Sequence, residues 1–335
     1  MNALERVRTW LTARRRFEFV ATVATVIALT AITGALVLIP KSALPKVRPE
    51  PAAAQYAAPA APVDPQLAEV RRVMESYGPV VAQQVSGEDG QLSVVFGHPY
   101  QRGDVDTLAR EIGPAVDSVT TLWGGDWSRT AVVAVSSSTA EFAALTHATG
   151  SVSSEVAAAS VSDPFLPGQR PTGQRVVFAA DAGRRLGTDG LRDTLRHELT
   201  HVAARAQTLD GSPQWVLEGF AEYSAHRAEQ RPFAQLAPTL TARARSGILP
   251  TDLPTDAAFA PTPGNNAALA YEQAWSANAF TATQFGEPKL VDLYHRLAKG
   301  PQDKSALDDA FEDTLGIGHH SFVTQWRDWI RSRIS

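Results

Sequence analysis

The sequence predicts an α+β fold, in which a small mixed sheet with its helices precedes a mainly helical half. Four short apolar runs predict strands: 92–96, 130–135, 156–161 and 175–180. Apolar residues at helical spacing predict three helices in the same part of the chain: 66–77, 104–123 and 140–147. From Thr188 onward nearly every segment has a helical pattern. Strands mixed with helices, followed by helices alone, are the order expected of this class.

The composition excludes several kinds of protein and site. The chain has 335 residues, 44% hydrophobic and 20% charged, which is typical of a globular protein with a substantial core. It contains no cysteine, so disulfides, thiolate metal ligands and a cysteine nucleophile are excluded. Residues 1–48 have a net charge of +6 and the remaining residues one of −10. The acidic body argues against nucleic acid as a partner, because binding of phosphate backbones needs clustered Lys and Arg.

The N-terminus has the pattern of a membrane anchor. Residues 19–39 contain no charge in 21 positions, enough for a helix to cross a bilayer core. Five arginines precede this run and three basic residues follow it, which predicts a cytoplasmic segment 1–18 and an extracytoplasmic body. We therefore expect a single-pass protein of the cell membrane. A cleaved signal peptide is the alternative, but its apolar region is normally shorter.

A linker separates the predicted anchor from the predicted globular domain. Seven prolines and eight alanines occupy 15 of the 26 positions in 40–65, a composition that favours extended polyproline II and cannot form a core. The globular domain is expected over 66–335. A boundary near residue 187 is one possibility. In the other, 66–187 is simply the upper half of a single catalytic domain.

The most informative segment is an H-E-x-x-H motif on a predicted amphipathic helix that begins at Thr188 or Asp189. His197 and His201 are four residues apart, so both rings project from one face and could hold Zn²⁺. Glu198 lies one step round the helix, where its carboxylate could take a proton from a zinc-activated water. The alternative is a helix surface with two solvated histidines and a glutamate.

A second segment, 215–223, supplies the acidic residues that a zinc site needs. A catalytic zinc site has three protein ligands, and Glu218 lies 17 residues after His201, far enough for the chain to return antiparallel. Glu222 is one turn further along and could hydrogen-bond the distal nitrogen of a zinc-bound histidine. Both glutamates could instead face solvent. Gly219, however, costs about 1 kcal/mol inside a helix and therefore indicates close packing against another element.

Together, 197–201 and 215–223 resemble the gluzincin metallopeptidases, in particular peptidase MA-like domains with H-E-x-x-H and a downstream E-G-x-A-E-Y block. Thermolysin and the M1 aminopeptidases share this arrangement. The resemblance is specific over 191–223 and looser elsewhere in the body. It implies a zincin-like fold with one Zn²⁺ per chain bound by His197, His201 and Glu218. Glu198 would be the general base and acid, and Glu222 would support the ligands. The spacing from His201 to Glu218 is slightly shorter than in M1 enzymes, which implies a tighter loop.

Peptide hydrolysis also needs a donor for the oxyanion, and related enzymes take a Tyr or His from a later helix. Tyr271, at the start of an aromatic-rich helix that resembles the corresponding part of MA-like domains, is the candidate. The alternative is that Tyr271 packs in the core at the end of a buried helix. His226, one turn beyond Glu222, is a weaker rival for the donor.

These observations predict a membrane-anchored, zinc-dependent peptidase that acts on a peptide or protein substrate. The alternative is a catalytically inert gluzincin-fold interaction module on the outer face of the membrane. All three ligands and the Glu base are present together, which favours the enzyme. The sequence specifies neither the substrate nor the oligomeric state.

Overall fold

The structure is a computed structural model that describes residues 65–87, 90–149, 156–166, 169–260 and 266–334. The predicted cytoplasmic segment, the predicted anchor at 19–39 and almost all of the predicted linker lie outside these residues. Among the described helices, none combines the length and the apolar character that a bilayer crossing requires.

A five-stranded mixed sheet forms the first half of the described chain. Its strands are β1 (Val81–Ser86), β2 (Leu92–Gly97), β3 (Val132–Val135), β4 (Ala158–Val161) and β5 (Arg175–Phe178). Their order across the sheet is β1-β2-β3-β5-β4. The central strands β2, β3 and β5 are parallel, and the two edge strands are antiparallel to their neighbours. The four predicted strands are confirmed to within two residues at each end.

Strand β1 has no counterpart in the sequence prediction. Half of its six residues, VAQQVS, are polar, and its side chains are exposed or half-buried. It forms because its backbone pairs with the whole length of β2, from Val81 opposite Gly97 to Ser86 opposite Leu92. An edge strand with little buried side chain leaves no apolar alternation in the sequence.

The helices of the first half pack on and around this sheet. They are α1 (Pro65–Glu75), α2 (Arg102–Trp123), α3 (Thr139–Thr146) and α4 (Ala182–Ala204). Helix α2 buries the predicted apolar stripe, including Val105, Leu108, Ile112 and Val119, and packs against β1, β2 and α4. Helix α4 follows β5 after a short turn and packs against β4 and β5. The sheet therefore fixes the position of the helix that carries the H-E-x-x-H motif.

Helix α4 is kinked at Gly187. This glycine has φ 66° and ψ −175°, a conformation that residues with a Cβ rarely adopt. The kink separates a first turn, 182–186, from the long segment that follows. The predicted start of the motif helix at Thr188 or Asp189 therefore coincides with the end of the kink.

The second half of the described chain is helical, as predicted. Its helices are α5 (Gln214–His226), α6 (Phe233–Leu236), α7 (Pro238–Arg245), α8 (Ala267–Phe285), α9 (Glu287–Leu297), α10 (Lys304–Leu315) and α11 (His319–Ile334). Three short 3-10 segments occur in the described chain: Pro99–Gln101, Arg205–Gln207 and Asp256–Phe259. Helix α8 is the central element of this half, because it packs against α5, α7, α9 and α11.

The last helix is attached to α8 through Trp326. This side chain is fully buried, and its indole N–H donates a hydrogen bond to Ser276 Oγ at 3.1 Å. Phe322, one turn earlier, packs against Phe280 of α8 with ring centroids 5.2 Å apart. The apolar core is continuous from the sheet to this C-terminal helix.

Candidate metal centre

Helix α4 places the first three candidate residues inside the protein. Its apolar stripe, Leu191, Leu195, Leu199 and Val202, is buried. His197 and Glu198 are buried as well, with 1% and 2% of their surface exposed. The side chain of His201 is 18% exposed, so the centre opens to solvent on the His201 side. Two histidines and a glutamate on this helix are therefore not the solvated surface residues of the alternative interpretation.

Helix α5 returns antiparallel to α4, as the spacing predicted. Thr200 Oγ1 donates a hydrogen bond to Ser224 Oγ at 2.8 Å, and both hydroxyls are buried. His197 of α4 faces Glu222 and Glu218 of α5. His201, one turn after His197, also faces Glu218. This pairing brings Glu218 between the two imidazoles.

Three side-chain atoms converge on one point between the helices. The Nε2 atoms of His197 and His201 are 3.1 Å apart, and each lies 3.5 Å from Oε2 of Glu218. Zinc bonds of 2.0–2.1 Å in tetrahedral geometry place neighbouring ligand atoms about 3.3–3.4 Å apart. The triangle formed by the three atoms thus has the edge lengths of one face of a zinc tetrahedron.

The hydrogen bonding of the centre also fits a bound cation. Oε2 of Glu218 is buried and accepts no hydrogen bond from the described part of the chain, although two imidazoles face it. A buried carboxylate oxygen without a donor is costly unless a cation binds it. Oε1 of Glu198 is likewise buried without a hydrogen-bond donor among the described residues. The set of two imidazoles and one carboxylate is one that catalytic zinc prefers.

Glu222 lies behind His197, on the side away from the ligand triangle. Its Oε1 is 3.2 Å from Nδ1 of His197, and its Oε2 is 3.5 Å from Nε2 of His226. Burial by itself raises the pKa of Glu222, but these two imidazoles hold it far below its usual range. The negative charge of Glu222 beside Nδ1 favours the orientation of the His197 ring in which Nε2, and not Nδ1, faces the candidate centre.

His226 is enclosed by carboxylates. Its Nδ1 lies 3.3 Å from Glu229 and 3.9 Å from Asp193, while its Nε2 faces Glu222. Burial alone would lower the pKa of His226, but hydrogen bonds to Glu222 and Glu229 raise it to about 9. Both ring nitrogens are thus engaged behind the metal centre, which does not favour His226 as the oxyanion donor.

A second group of possible metal ligands, formed by Asp193, His226 and Glu229, lies next to this histidine. Arginines already neutralise its carboxylates: Arg231 lies 2.7 Å from Asp193 and 2.8 Å from Glu229, and Arg192 lies 3.0 Å from Glu229. A divalent cation would have to compete with these guanidinium groups. We interpret the group as an ion-pair network that holds α4 against the end of α5. The sequence gives no local signal for this network, because its partners are up to 38 residues apart.

Tyr271 lies in the core on α8. It is 1% exposed, and its ring packs edge-on against Phe259 with centroids 4.9 Å apart. These contacts are those expected for the packing role that was the alternative to catalysis. The role of Tyr271 as oxyanion donor remains a prediction.

Tyr294, a second buried tyrosine, was not among the candidates from the sequence. Tyr294 of α9 packs with Trp123 and Phe220, with ring centroids 5.2 Å and 4.8 Å away. Its hydroxyl is 2.8 Å from Thr208 Oγ1. Burial raises the pKa of Tyr294, and the charge of Glu218 raises it further. The aromatic cluster is therefore near enough to the candidate centre for Tyr294 to feel the charge of Glu218.

Gly219 sets how closely α5 approaches α8. A Cβ at this position would collide with the backbone carbonyl of Ala274 and with the side-chain amide of Asn278. That amide also donates hydrogen bonds to the carbonyls of Trp215 and Ala274. The prediction that Gly219 marks a close approach is confirmed. The adjacent residue is Glu218, so this contact also positions the candidate third ligand.

We expect Gly219→Ala to destabilise the protein by about 1–3 kcal/mol, because overpacking against backbone outweighs the helix propensity gained. Thermal or urea unfolding of the purified chain measures this change. Gly103→Ala is the matched control, since Gly103 lies exposed in α2 with nothing within 4 Å of an added Cβ and no proline after it. That variant should gain about 0.5–1 kcal/mol. Equal shifts in the two variants would contradict the packing argument.

Searches for related proteins gave similarities to solved structures alone. No family model matches the chain, and no curated protein matches it. The structure is similar to crystal structures of a two-domain M1 zinc metallopeptidase bound to L-arginine or to L-tryptophan. Both have 16% sequence identity and a TM-score of 0.43, and cover 76% and 74% of this chain respectively. An M1 zinc metallopeptidase from Deinococcus radiodurans has 15% identity over 75% of this chain, with a TM-score of 0.42.

This chain matches 52% of the length of each of those structures, so it spans about half of them. The likeness concerns the arrangement of helices and strands. The chemistry of the candidate metal centre is therefore inferred from the positions of its side chains in this structure.

Proposed function

We propose that this protein is a zinc-dependent peptidase. The observation that carries the proposal is the triangle formed by His197 Nε2, His201 Nε2 and Glu218 Oε2, with edges of 3.1, 3.5 and 3.5 Å. Three converging side-chain atoms at tetrahedral spacing, two of them on buried residues, would leave a fourth position for water or substrate on the more exposed His201 side, as catalytic zinc sites do. The buried carboxylate of Glu198, adjacent in sequence to a ligand, supplies the base that hydrolysis requires.

Each of these residues has a separate role in the proposed reaction. His197, His201 and Glu218 would hold the ion, which would supply a Lewis acid for the peptide carbonyl and the attacking water. Glu198 accepts the proton of that water on its carboxylate and then delivers it to the leaving amine. Glu222 orients His197 through Nδ1. The burial of these groups keeps bulk water from competing for the same protons.

The edge strand β4 is the proposed binding surface for the peptide backbone. Among the described strands it pairs with β5 alone, and it packs against α4, which carries two of the candidate ligands. An extended peptide could pair with the other side of β4 as an added strand. This assignment of β4 is made by analogy with the gluzincin peptidases that the sequence resembles. It adds a binding surface for the substrate to the proposed reaction.

The purified full-length chain is expected to contain one zinc ion per molecule. The measurement is metal analysis after dialysis at neutral pH, in a mild detergent so that the predicted anchor does not affect recovery. A peptide-library digest followed by mass spectrometry tests turnover on the same sample. A chain that binds no zinc at micromolar free metal would refute the proposed function. Zinc without any cleavage of the library would support the inert interaction module instead.

A further inference from the structure

Arg205 lies one helical turn beyond His201, immediately after α4. Its backbone remains helical, with φ −53° and ψ −42°. Residues four apart lie on one face of a helix, so Arg205 projects on the same face as His197 and His201. The distance from His201 to Arg205 along the helix axis is about 6 Å.

The guanidinium group of Arg205 is half-buried and has few partners. It lies over the ring of Phe165, 4.7 Å from the centroid, and Nη1 donates to the carbonyl of Thr208 at 3.3 Å. In the described chain, no carboxylate lies within ion-pair distance of it. Burial lowers the pKa of Arg205, and the charge of Asp210 acts in the opposite direction. Because an arginine remains protonated in proteins, this group is a partly desolvated cation without a carboxylate partner.

Arg205 lies on the open side of the metal centre. His197 is almost fully buried, whereas the His201 side chain is 18% exposed, and Arg205 follows His201 in the same direction along the helix. Strand β4 ends in the same region. Val161 pairs with Arg175, and the neighbouring Gln174 donates a hydrogen bond to the carbonyl of Val202 at 2.8 Å. A peptide extended along β4 would therefore pass from the centre toward Arg205.

We propose that Arg205 binds a carboxylate of the substrate peptide, one or two residues from the bond that is cleaved. The inference rests on the proposed peptidase function. One or two extended residues span about 3.5–7 Å, which matches one helical turn. A planar guanidinium with unused N–H groups forms bidentate hydrogen bonds with a carboxylate, stronger than those between neutral groups. Phe165 stacks on the guanidinium and limits its orientations.

The carboxylate could come from two sources with the same chemistry. One is the free C-terminus of a short peptide, which would make the protein an enzyme that removes one or two terminal residues. The other is an Asp or Glu side chain within a longer peptide. Both predict a preference for substrates with a negative charge close to the cleaved bond.

The kinetic experiment uses the peptide that the full-length protein cleaves fastest in the library digest. It is prepared with a free C-terminus, with a C-terminal amide, and with each Asp or Glu near the cleaved bond changed to Asn or Gln. Wild type should prefer one charged form over its neutral counterpart by on the order of 10–100-fold in kcat/KM, mainly through KM. Arg205→Ala should remove that preference by slowing the charged form alone, and Arg205→Lys should retain part of it. The form that loses its advantage identifies the source.

A binding measurement separates recognition from turnover. In the Glu198→Gln background, calorimetry with the same charged and neutral peptides should show weaker binding of only the charged peptide when Arg205→Ala is added. Arg184→Ala is the control, since Arg184 lies at the other end of α4 with its side chain 82% exposed. A purely structural role for Arg205 would instead lower Tm and slow both peptide forms equally.

Two results would overturn the inference. If wild type holds zinc and cleaves charged and neutral peptides equally well, the inference fails while the proposed function stands. The same conclusion holds if Arg205→Ala leaves the preference intact. Absence of zinc or of cleavage in wild type would remove the proposed function, and the inference with it.

Discussion

His201→Ala is expected to abolish zinc binding and bring peptidase activity below detection. The substitution removes one corner of the ligand triangle and leaves His197 and Glu218 as the remaining ligands. Two protein ligands rarely hold zinc in a catalytic site, so the ion should be lost on dialysis. Metal analysis should give less than about one tenth of the wild-type zinc content, because removal of a ligand costs several orders of magnitude in affinity.

The control for this experiment is His320→Ala. His320 is exposed on α11, and its replacement removes an imidazole without touching the candidate centre. It should retain one zinc per chain and full activity. Circular dichroism of both variants establishes that they are folded. Wild-type zinc content in a folded His201→Ala variant would show that the ion, if any, is bound elsewhere.

Glu198→Gln is expected to separate catalysis from metal binding. Glutamine keeps the shape of the side chain, but its amide cannot accept a proton at neutral pH. General acid–base catalysis typically contributes 10²–10⁴-fold, so kcat should fall by about that factor. Zinc content should stay at the wild-type value, because Glu198 is not one of the three converging ligands. The measurements are kcat on the best library peptide and metal analysis of the same preparation.

Glu75→Gln is the matched control for this second prediction. Glu75 ends α1, its side chain is 56% exposed, and its contact is a surface pair with Arg71. Activity and zinc content should both be unchanged. If Glu198→Gln cleaved as fast as wild type, a contaminating peptidase or another catalytic group would be the better explanation.

The sequence predicted those parts of the structure that depend on residues close together in the chain. The buried stripe of α4 follows from apolar residues at helical spacing, and the H-E-x-x-H motif lies on the same helix, so two candidate ligands and the candidate base could be assigned to one helix. Glu218 could be named as a candidate ligand because its position 17 residues after His201 allows the chain to return antiparallel. Gly219 allowed a packing prediction because glycine destabilises a helix interior and therefore indicates that another element approaches closely. Ala274 and Asn278 make that approach.

Features that depend on distant partners were not predictable in the same way. His98 follows β2, and its ring is buried between the carbonyl of Pro79 at 2.9 Å and the carboxylate of Glu141 at 3.0 Å. Nothing near His98 in sequence indicates a partner 43 residues away. The surroundings of the half-buried Arg205 were unpredictable for the same reason. Phe165, which packs against its guanidinium group, belongs to the loop after β4.

The close contact between α5 and α8 has a consequence for where a minimal catalytic fragment could end. Every candidate ligand lies before residue 219, so a fragment that stops after α5 would contain the whole metal-binding motif. The backbone that carries Glu218 is nevertheless held by α8 through Ala274 and Asn278, and α8 is held in turn by Trp326 of the last helix. Transplanting or trimming this centre would therefore require the C-terminal helices as well, although they donate no ligand. The smallest fragment expected to keep Glu218 in position therefore extends to α11.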